Sequence, residues 1–207
     1  MTEHPTYHLA SSSQTLITHL RGSLVIIALV VVVVLALFFV LGFNRLRRAD
    51  LGAQEALGGI DVQLTRRADL VPNLVETVKG YAAHERGVLA ELTAARTQLQ
   101  AAAASTHVPA KAAADAVLGQ SLVGLNAVAE NYPDLKANTT FLDLQKQLGE
   151  TEDQIAFARQ YYNDAVRQLN NLTQTIPWMF FAGVAGVSTR EFYEAPDTDM
   201  ERPTVSF

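Results

Sequence analysis

Two glutamates stand where a helical pattern asks for apolar side chains. Glu85 falls between Ala82 and Leu89, and Glu152 falls between Leu148 and Ile155. A carboxylate facing a core must be paired or wetted, because burying a bare charge is far more costly than burying a methyl group. Arg67, beside Ala68 on the stripe that leads to Glu85, and Arg159, seven residues after Glu152, are the candidate partners. Three chemistries are open to such a set: a structural ion-pair network that fixes helix register, a water-accessible groove used by a partner, or a carboxylate pair for general acid-base work. The pattern favours the first.

A metal site is the sharper alternative, since carboxylate-bridged di-iron bundles take Glu from two helices and Glu-x-x-His from two others. Here His84 directly precedes Glu85 and has Tyr81, not Glu, three residues before it. His107 falls in an expected turn, and His4, His8 and His19 precede a long apolar run. No His-Glu-x-x-His, glycine-rich phosphate loop or Gly-x-Ser-x-Gly is present. Cysteine is absent, which removes disulfides, thiolate catalysis and cysteine-ligated metals. The sequence therefore names no catalytic, cofactor-binding or metal-ligating residue, and implies no cofactor.

The elements that carry these charges are long helices. From Leu57 the apolar positions run Leu57, Ile60, Leu64, Ala68, Val71, Val75, Val78 and Ala82, then Leu89, Leu92, Ala95 or Arg96, Leu99 and Ala103. Steps of three and four are the signature of a helix buried along one face, here close to the seven-residue repeat of supercoiled bundles. Pro72 interrupts the stripe and demands either a kink or a fresh start after Val71, and the continuing apolar phase favours the kink. Gly58-Gly59 is a second weak point.

An alanine-rich tract around residues 101–114 holds Ser105, Thr106 and Pro109, which mark a turn with proline at the start of the next helix. That helix ends near Tyr132 before Pro133, with residues 134–138 as a connection. Thr140 and Asp143 form a capping-box pattern for a third helix, whose buried face runs through Phe141, Leu144, Leu148, Ile155, Ala158, Tyr162, Val166, Leu169 and Ile176. Residues 178–187 are apolar but too short to cross a bilayer, so they read as a bundle-closing or interface-lying segment.

Residues 24–43 (LVIIALVVVVVLALFFVLGF) are uninterruptedly apolar. As a helix they span roughly 30 Å, the thickness of a bilayer's hydrocarbon core. The run is longer than the roughly 7 to 15 apolar residues of a signal peptide, and Gly42-Phe43-Asn44-Arg45 is not an Ala-x-Ala-like cleavage site. Arg45, Arg47 and Arg48 crowd its carboxyl side against Arg21 alone on the other, so the body is expected in the cytoplasm. After Arg48 the chain has twelve Lys and Arg against twenty Asp and Glu, a balance that disfavours general nucleic-acid binding. The organisation expected is a short extracytoplasmic tail over 1–23, a transmembrane helix over 24–43, a roughly four-helix up-and-down bundle over 44–195 and a tail over 196–207. The fold class is all-α.

Residues 60–85 (IDVQLTRRADLVPNLVETVKGYAAHE) closely resemble the central signature of the LemA family. Residues 129–138 (AENYPDLKAN), 151–166 (TEDQIAFARQYYNDAV) and 203–207 (PTVSF) agree with it. The resemblance implies a membrane-anchored long helical bundle with no established catalytic role, and a part in organising membranes or the proteins on them. The chain departs from the family pattern at Gly58 and Phe43, and residues 183–187 lack a phenylalanine common there.

The expected function is a scaffold or adaptor at the inner membrane. Its partners are membrane lipids through residues 24–43, and a protein or a second copy. Two further classes stand beside it: lipid organisation through residues 178–187 and the three arginines, and a membrane-bound enzyme using Glu85 and Glu152. On the charge bias, a reporter that works only in the cytoplasm is expected to be active when fused after Phe207, and one that requires export is expected to be silent; the reverse pattern would invert the orientation.

Overall fold

The computed structural model describes residues 7–194, with side-chain surroundings from residue 21 onward. The expected tail over 196–207, with its PTVSF block, lies outside the described residues, as do the first six residues of the expected amino-terminal tail. The described residues form six helices and no strand, in agreement with the all-α expectation: α1 (Tyr7–Lys79), α2 (Arg86–Ala103), α3 (Val108–Ala129), α4 (Pro133–Lys136), α5 (Thr139–Gln174) and α6 (Met179–Ala185). Helix α1 packs along α5 and α2, and α2 packs along α3. Side-chain bonds from Gln145 to Asn126 and from Arg159 to Asp115 link α5 to α3.

Helix α1 alone has 73 residues, about 110 Å at helical rise. Its apolar run is bare of protein contacts over most of its length, with Leu24, Val32 and Leu41 all more than three-fifths exposed. Burial begins at its end: Leu46, Ala53, Ile60, Leu64, Ala68, Val71, Leu74 and Val78 are at most 1% exposed, in steps of three, four and seven. A single helix is thus apolar all round at one end and amphipathic at the other. Helix α3 is also long and apolar enough to cross a membrane, but it contributes buried residues to the bundle and carries Lys111 and Asp115.

Pro72 does not divide α1, which runs through it to Lys79. A proline inside a helix leaves the carbonyl four residues back without its usual donor. That carbonyl belongs to Ala68, which is fully buried, and Arg96 of α2 donates to it through Nε at 3.1 Å. The neighbouring helix supplies the missing hydrogen bond. The stripe expected to continue from Val78 to Leu99 is instead broken at residues 80–85, where the chain turns back and α2 packs against α1. The periodicity survived the turn because both arms of a hairpin bury the same side.

Capping also differs from expectation. Asn138, not Thr140, opens α5, its side chain accepting from the Phe141 N–H at 2.9 Å. Pro133, expected to end the preceding helix, and residues 134–136 of the expected connection instead form the helical turn α4, with Leu135 fully buried. The turn before α3 is as expected: Pro109 lies in the first helical turn, and His107 Nδ1 accepts from the Ala110 N–H at 3.1 Å.

The α2–α3 hairpin covers only the part of the bundle beyond residue 60. Closer to the apolar run, α1 and α5 are covered by an extended segment, residues 187–194, lying antiparallel to α5. Asn170 pairs with Arg190 and Asn163 with Tyr193, each side-chain amide exchanging two hydrogen bonds of 2.8 to 3.0 Å with a backbone N–H and C=O. Seven residues of helix and three of extended chain both advance roughly 10 Å, so the two ladders stay in step. Tyr162 Oη donates to the Glu191 carbonyl at 2.9 Å, and Arg190 reaches Asp50 of α1 at 2.8 and 3.0 Å.

The Pro72 arrangement makes a direct prediction. Arg96→Ala should destabilise the protein by about 1–3 kcal/mol, the cost of an unsatisfied buried acceptor, and by clearly less when combined with Pro72→Ala, which restores the helical donor. Equal losses in the two backgrounds, measured by denaturant unfolding, would refute the compensation.

Candidate functional site

The densest chemistry in the described residues is a line of charges across the middle of the bundle. Asp115 of α3 has a side chain with no solvent exposure and stands between two guanidinium groups. Arg67 Nη1 of α1 donates to its Oδ1 at 2.6 Å, and Arg159 Nη2 of α5 donates to Oδ2. Arg67 also reaches Glu152 Oε2 through Nη2 at 2.6 Å. One turn earlier on α3, the Lys111 Nζ is wholly buried, donating to Asp61 of α1 and, at 2.7 Å, to the Ala103 carbonyl. Burial pushes the Asp61 carboxyl above 3.8, with Lys111 opposing the shift.

Tyr193, from the extended segment, closes this line. Its ring lies beneath the Arg159 guanidinium, 5.0 Å from centroid to Cζ, and the residue is 4% exposed. The hydroxyl has no protein hydrogen-bond partner of acceptable geometry. Burial, then the Asp115 carboxylate, holds it well above the ordinary tyrosine range, while Arg159 and Arg67 pull the other way. The Nε atoms of both arginines are likewise buried without partners.

The residues singled out from the sequence fall differently from their expected places. Glu85 is not on the helix of Arg67: α1 ends at Lys79, and Glu85 sits half-buried at the start of α2, accepting from Tyr132 Oη at 3.0 Å. That bond is the first reason the Tyr132 hydroxyl titrates above 10.0. Glu152 is not in the core either, its side chain being 46% exposed. The step of seven from Leu148 to Ile155 can be divided at Thr151 or at Glu152. The fold chose Thr151, fully buried with its hydroxyl satisfied by the Gln147 carbonyl at 2.7 Å.

Arg67 and Arg159 are ion-paired, as expected of structural partners, but Arg67 takes Glu152, and Arg159 takes Asp115. Glu85 and Glu152 do not converge, since the turn holding Glu85 lies beyond Lys79, some 20 Å along α1 from Arg67. His84 and His107 are both exposed.

Asp115, Lys111 and Tyr193 escaped the sequence reading. Lys111 and Asp115 lie within and just after the alanine-rich tract, where small side chains hide the periodicity. Their signal was a pair of opposite charges four residues apart in an otherwise uncharged helix. The asparagine ladder left a similar trace, two asparagines seven residues apart.

Beyond the charge line, a groove of about 690 Å³ runs between the far ends of α1 and α2, lined by Val75, Lys79, Leu89, Thr93 and Thr97 among others; its lining includes neither Glu85 nor Glu152. Two aromatic side chains one turn apart on α5, Phe157 and Tyr161, are 68% and 61% exposed.

An apolar helix able to cross a bilayer, continuous with a bundle whose interior charges are paired across helices, defines a membrane-associated all-α protein. More particularly, the chain belongs to the LemA family, whose model matches residues 56–207. It is similar to magnetosome protein MamQ 2 of Paramagnetospirillum magneticum, at 25% identity covering 87% of this chain and 76% of that protein. It is also similar to magnetosome protein MamQ of Magnetospirillum gryphiswaldense, at 25% identity covering 74% and 66% respectively.

Removing the Asp115 carboxylate by Asp115→Ala should cost about 3–5 kcal/mol, because the buried Arg67 and the partly buried Arg159 lose the carboxylate that lies between them. The exposed Arg167–Asp164 pair should be worth about 1 kcal/mol or less. Tyr193→Phe should be close to neutral at pH 7. Because the folded state holds Tyr193 protonated above the unfolded value of 10.0, its contribution is complete below that pH and is lost as pH rises beyond it. Thermal melts of Tyr193→Phe should therefore fall less steeply above pH 10.0 than those of the parent, and identical slopes would count against this burial.

Proposed function

We propose that this chain is a membrane-anchored helical scaffold or adaptor, crossing the inner membrane once through residues 24–43, with a short extracytoplasmic tail before it and the bundle in the cytoplasm. The bundle acts by binding another protein or a second copy. The observation that carries this reading is the exposed Phe157 and Tyr161 pair, set on the 36-residue bundle helix α5 within one of the segments that resemble the family. Aromatic side chains held by a rigid helix lose little conformational entropy on contact, and they dominate binding energy at interfaces.

The state of the carboxylates supports the same reading over an enzymatic one. General acid-base catalysis requires groups that converge within hydrogen-bonding reach of a substrate. Here Asp115 and Asp61 are held by cations, Glu152 by Arg67 and Glu85 by Tyr132. Relatives named as magnetosome proteins fit a role on a membrane. A photo-reactive amino acid at Phe157 in native membranes should give a reproducible protein adduct, weakened by Tyr161→Ala without change in melting temperature. Absence of any adduct, with a monomeric protein in mild detergent, would defeat the proposal.

A further inference from the structure

Helix α6 is placed mainly against α1 at the end of the apolar run, with a smaller contact to α5. Phe181 is buried between Phe38 and Phe39, at ring-centroid distances of 5.4 and 5.6 Å, and Trp178 stacks on Phe38 at 6.0 Å. Gly42 makes the approach possible: a Cβ there would lie 2.8 Å from the Phe181 ring. Phe38, Phe39 and Gly42 all belong to the run of residues 24–43, up to about 8 Å inside its carboxyl end. Whatever surrounds that stretch also surrounds α6.

The outer side of α6 has no polar covering. Phe180 and Val184, one turn apart, are 69% and 64% exposed, and Ile176 just ahead of them is 73% exposed. Residues 176–187 contain no charged side chain. Gly186, at φ +63°, ends the helix in a left-handed cap, and the Val187 N–H returns to the Ala182 carbonyl at 3.0 Å. The chain is thereby turned into the extended segment along α5. Seven residues of helix cover only about 10 Å, so α6 cannot cross a bilayer.

Next to α6 the chemistry changes abruptly. Arg45 lies over the Trp178 ring at 4.7 Å. A cleft of about 630 Å³ between α1 and α5 is lined by Arg45, Arg48, Gln168, Asn171, Thr175 and Trp178 among others, with no carboxylate in its lining. Tryptophan and arginine at the end of an apolar span occupy the headgroup level of a membrane, and basic or amide groups there face phosphate and glycerol oxygens.

We propose that α6 is a second lipid-contacting element, embedded in the leaflet that holds residues 38–43, with Phe180 and Val184 among the acyl chains and the Arg45–Trp178 stack at the headgroups. This inference rests on the reading of residues 24–43 as a span, and goes beyond it by giving the chain two membrane contacts. The extended segment then ties the bundle to the bilayer at a point other than α1. The occupant is the bilayer, not a protein, because the exposed face of α6 is continuous with the exposed side chains of the span.

The full chain reconstituted in phosphatidylcholine and phosphatidylglycerol vesicles tests this. Since cysteine is absent and Trp178 is the sole tryptophan, single nitroxide labels at Phe180→Cys and Val184→Cys can be compared with Val32→Cys in the span and Phe157→Cys on the bundle. Labels on α6 should collide with oxygen in preference to a water-soluble nickel complex, as at Val32 and unlike Phe157. In the unaltered chain, lipids brominated near the headgroup should quench most of the Trp178 emission, and Gly42→Leu, which displaces Phe181, should reduce that quenching. Nickel access at Phe180 and Val184 with lipid access at Val32 would overturn the proposal while leaving the span intact. Protection from both reagents would assign the face to a protein, and overturn it equally. Nickel access at Val32 as well would bring down the span and α6 together.

Discussion

Asp115 holds three helices by one carboxylate. Its two oxygens receive Arg67 from α1 and Arg159 from α5 while its own backbone belongs to α3, so the register of the bundle is set where these three meet. Apolar packing alone tolerates sliding by a turn, because one leucine layer resembles the next. A buried carboxylate does not, since a shift of one turn would leave three charges without partners in a low-dielectric interior. Tyr193 brings the carboxyl-terminal segment into the same layer through its contact with Arg159.

Two further polar devices compensate for local breaks in regular structure. Pro72 removes a donor from α1, and Arg96 replaces it from across the helix pair. The α2–α3 hairpin leaves the lower part of α1 and α5 uncovered, and residues 187–194 cover it as extended chain held by Asn163 and Asn170. In each case a side chain does the work of a backbone group. The buried apolar layers beneath, with Tyr162, Val166 and Leu169 opposite α1, contribute about 1.5–3 kcal/mol for each large side chain removed from water.

These features give the molecule a graded character along α1. At one end the helix is apolar on every side, next comes a ring of aromatic contacts with α6, then the two-helix region under the extended segment, and last the four-helix bundle with its charge line. The uncharged surface of α6 and the basic cleft beside it lie between the exposed apolar run and the charged bundle. Phe157 and Tyr161 lie exposed on the bundle helix α5.

Composition and spacing were enough to place the apolar run, the helical class, the turn at Pro109 and the buried face of α5 from Phe141 to Leu169, because those depend on the local period of hydrophobic side chains and on backbone chemistry; Ile176, expected to extend that face, lies past the end of α5 and is exposed. The same spacing could not locate the hairpin at residues 80–85, because antiparallel arms preserve the period. Nor could it choose between Thr151 and Glu152, which divide a step of seven equally well. The partners of Arg67 and Arg159 were beyond it as well. An ion pair between residues 48 or 44 positions apart exists only once the helices are side by side. Which charge is buried, and against which counter-charge, was decided by packing, since desolvation penalises every arrangement in which the pairs do not meet.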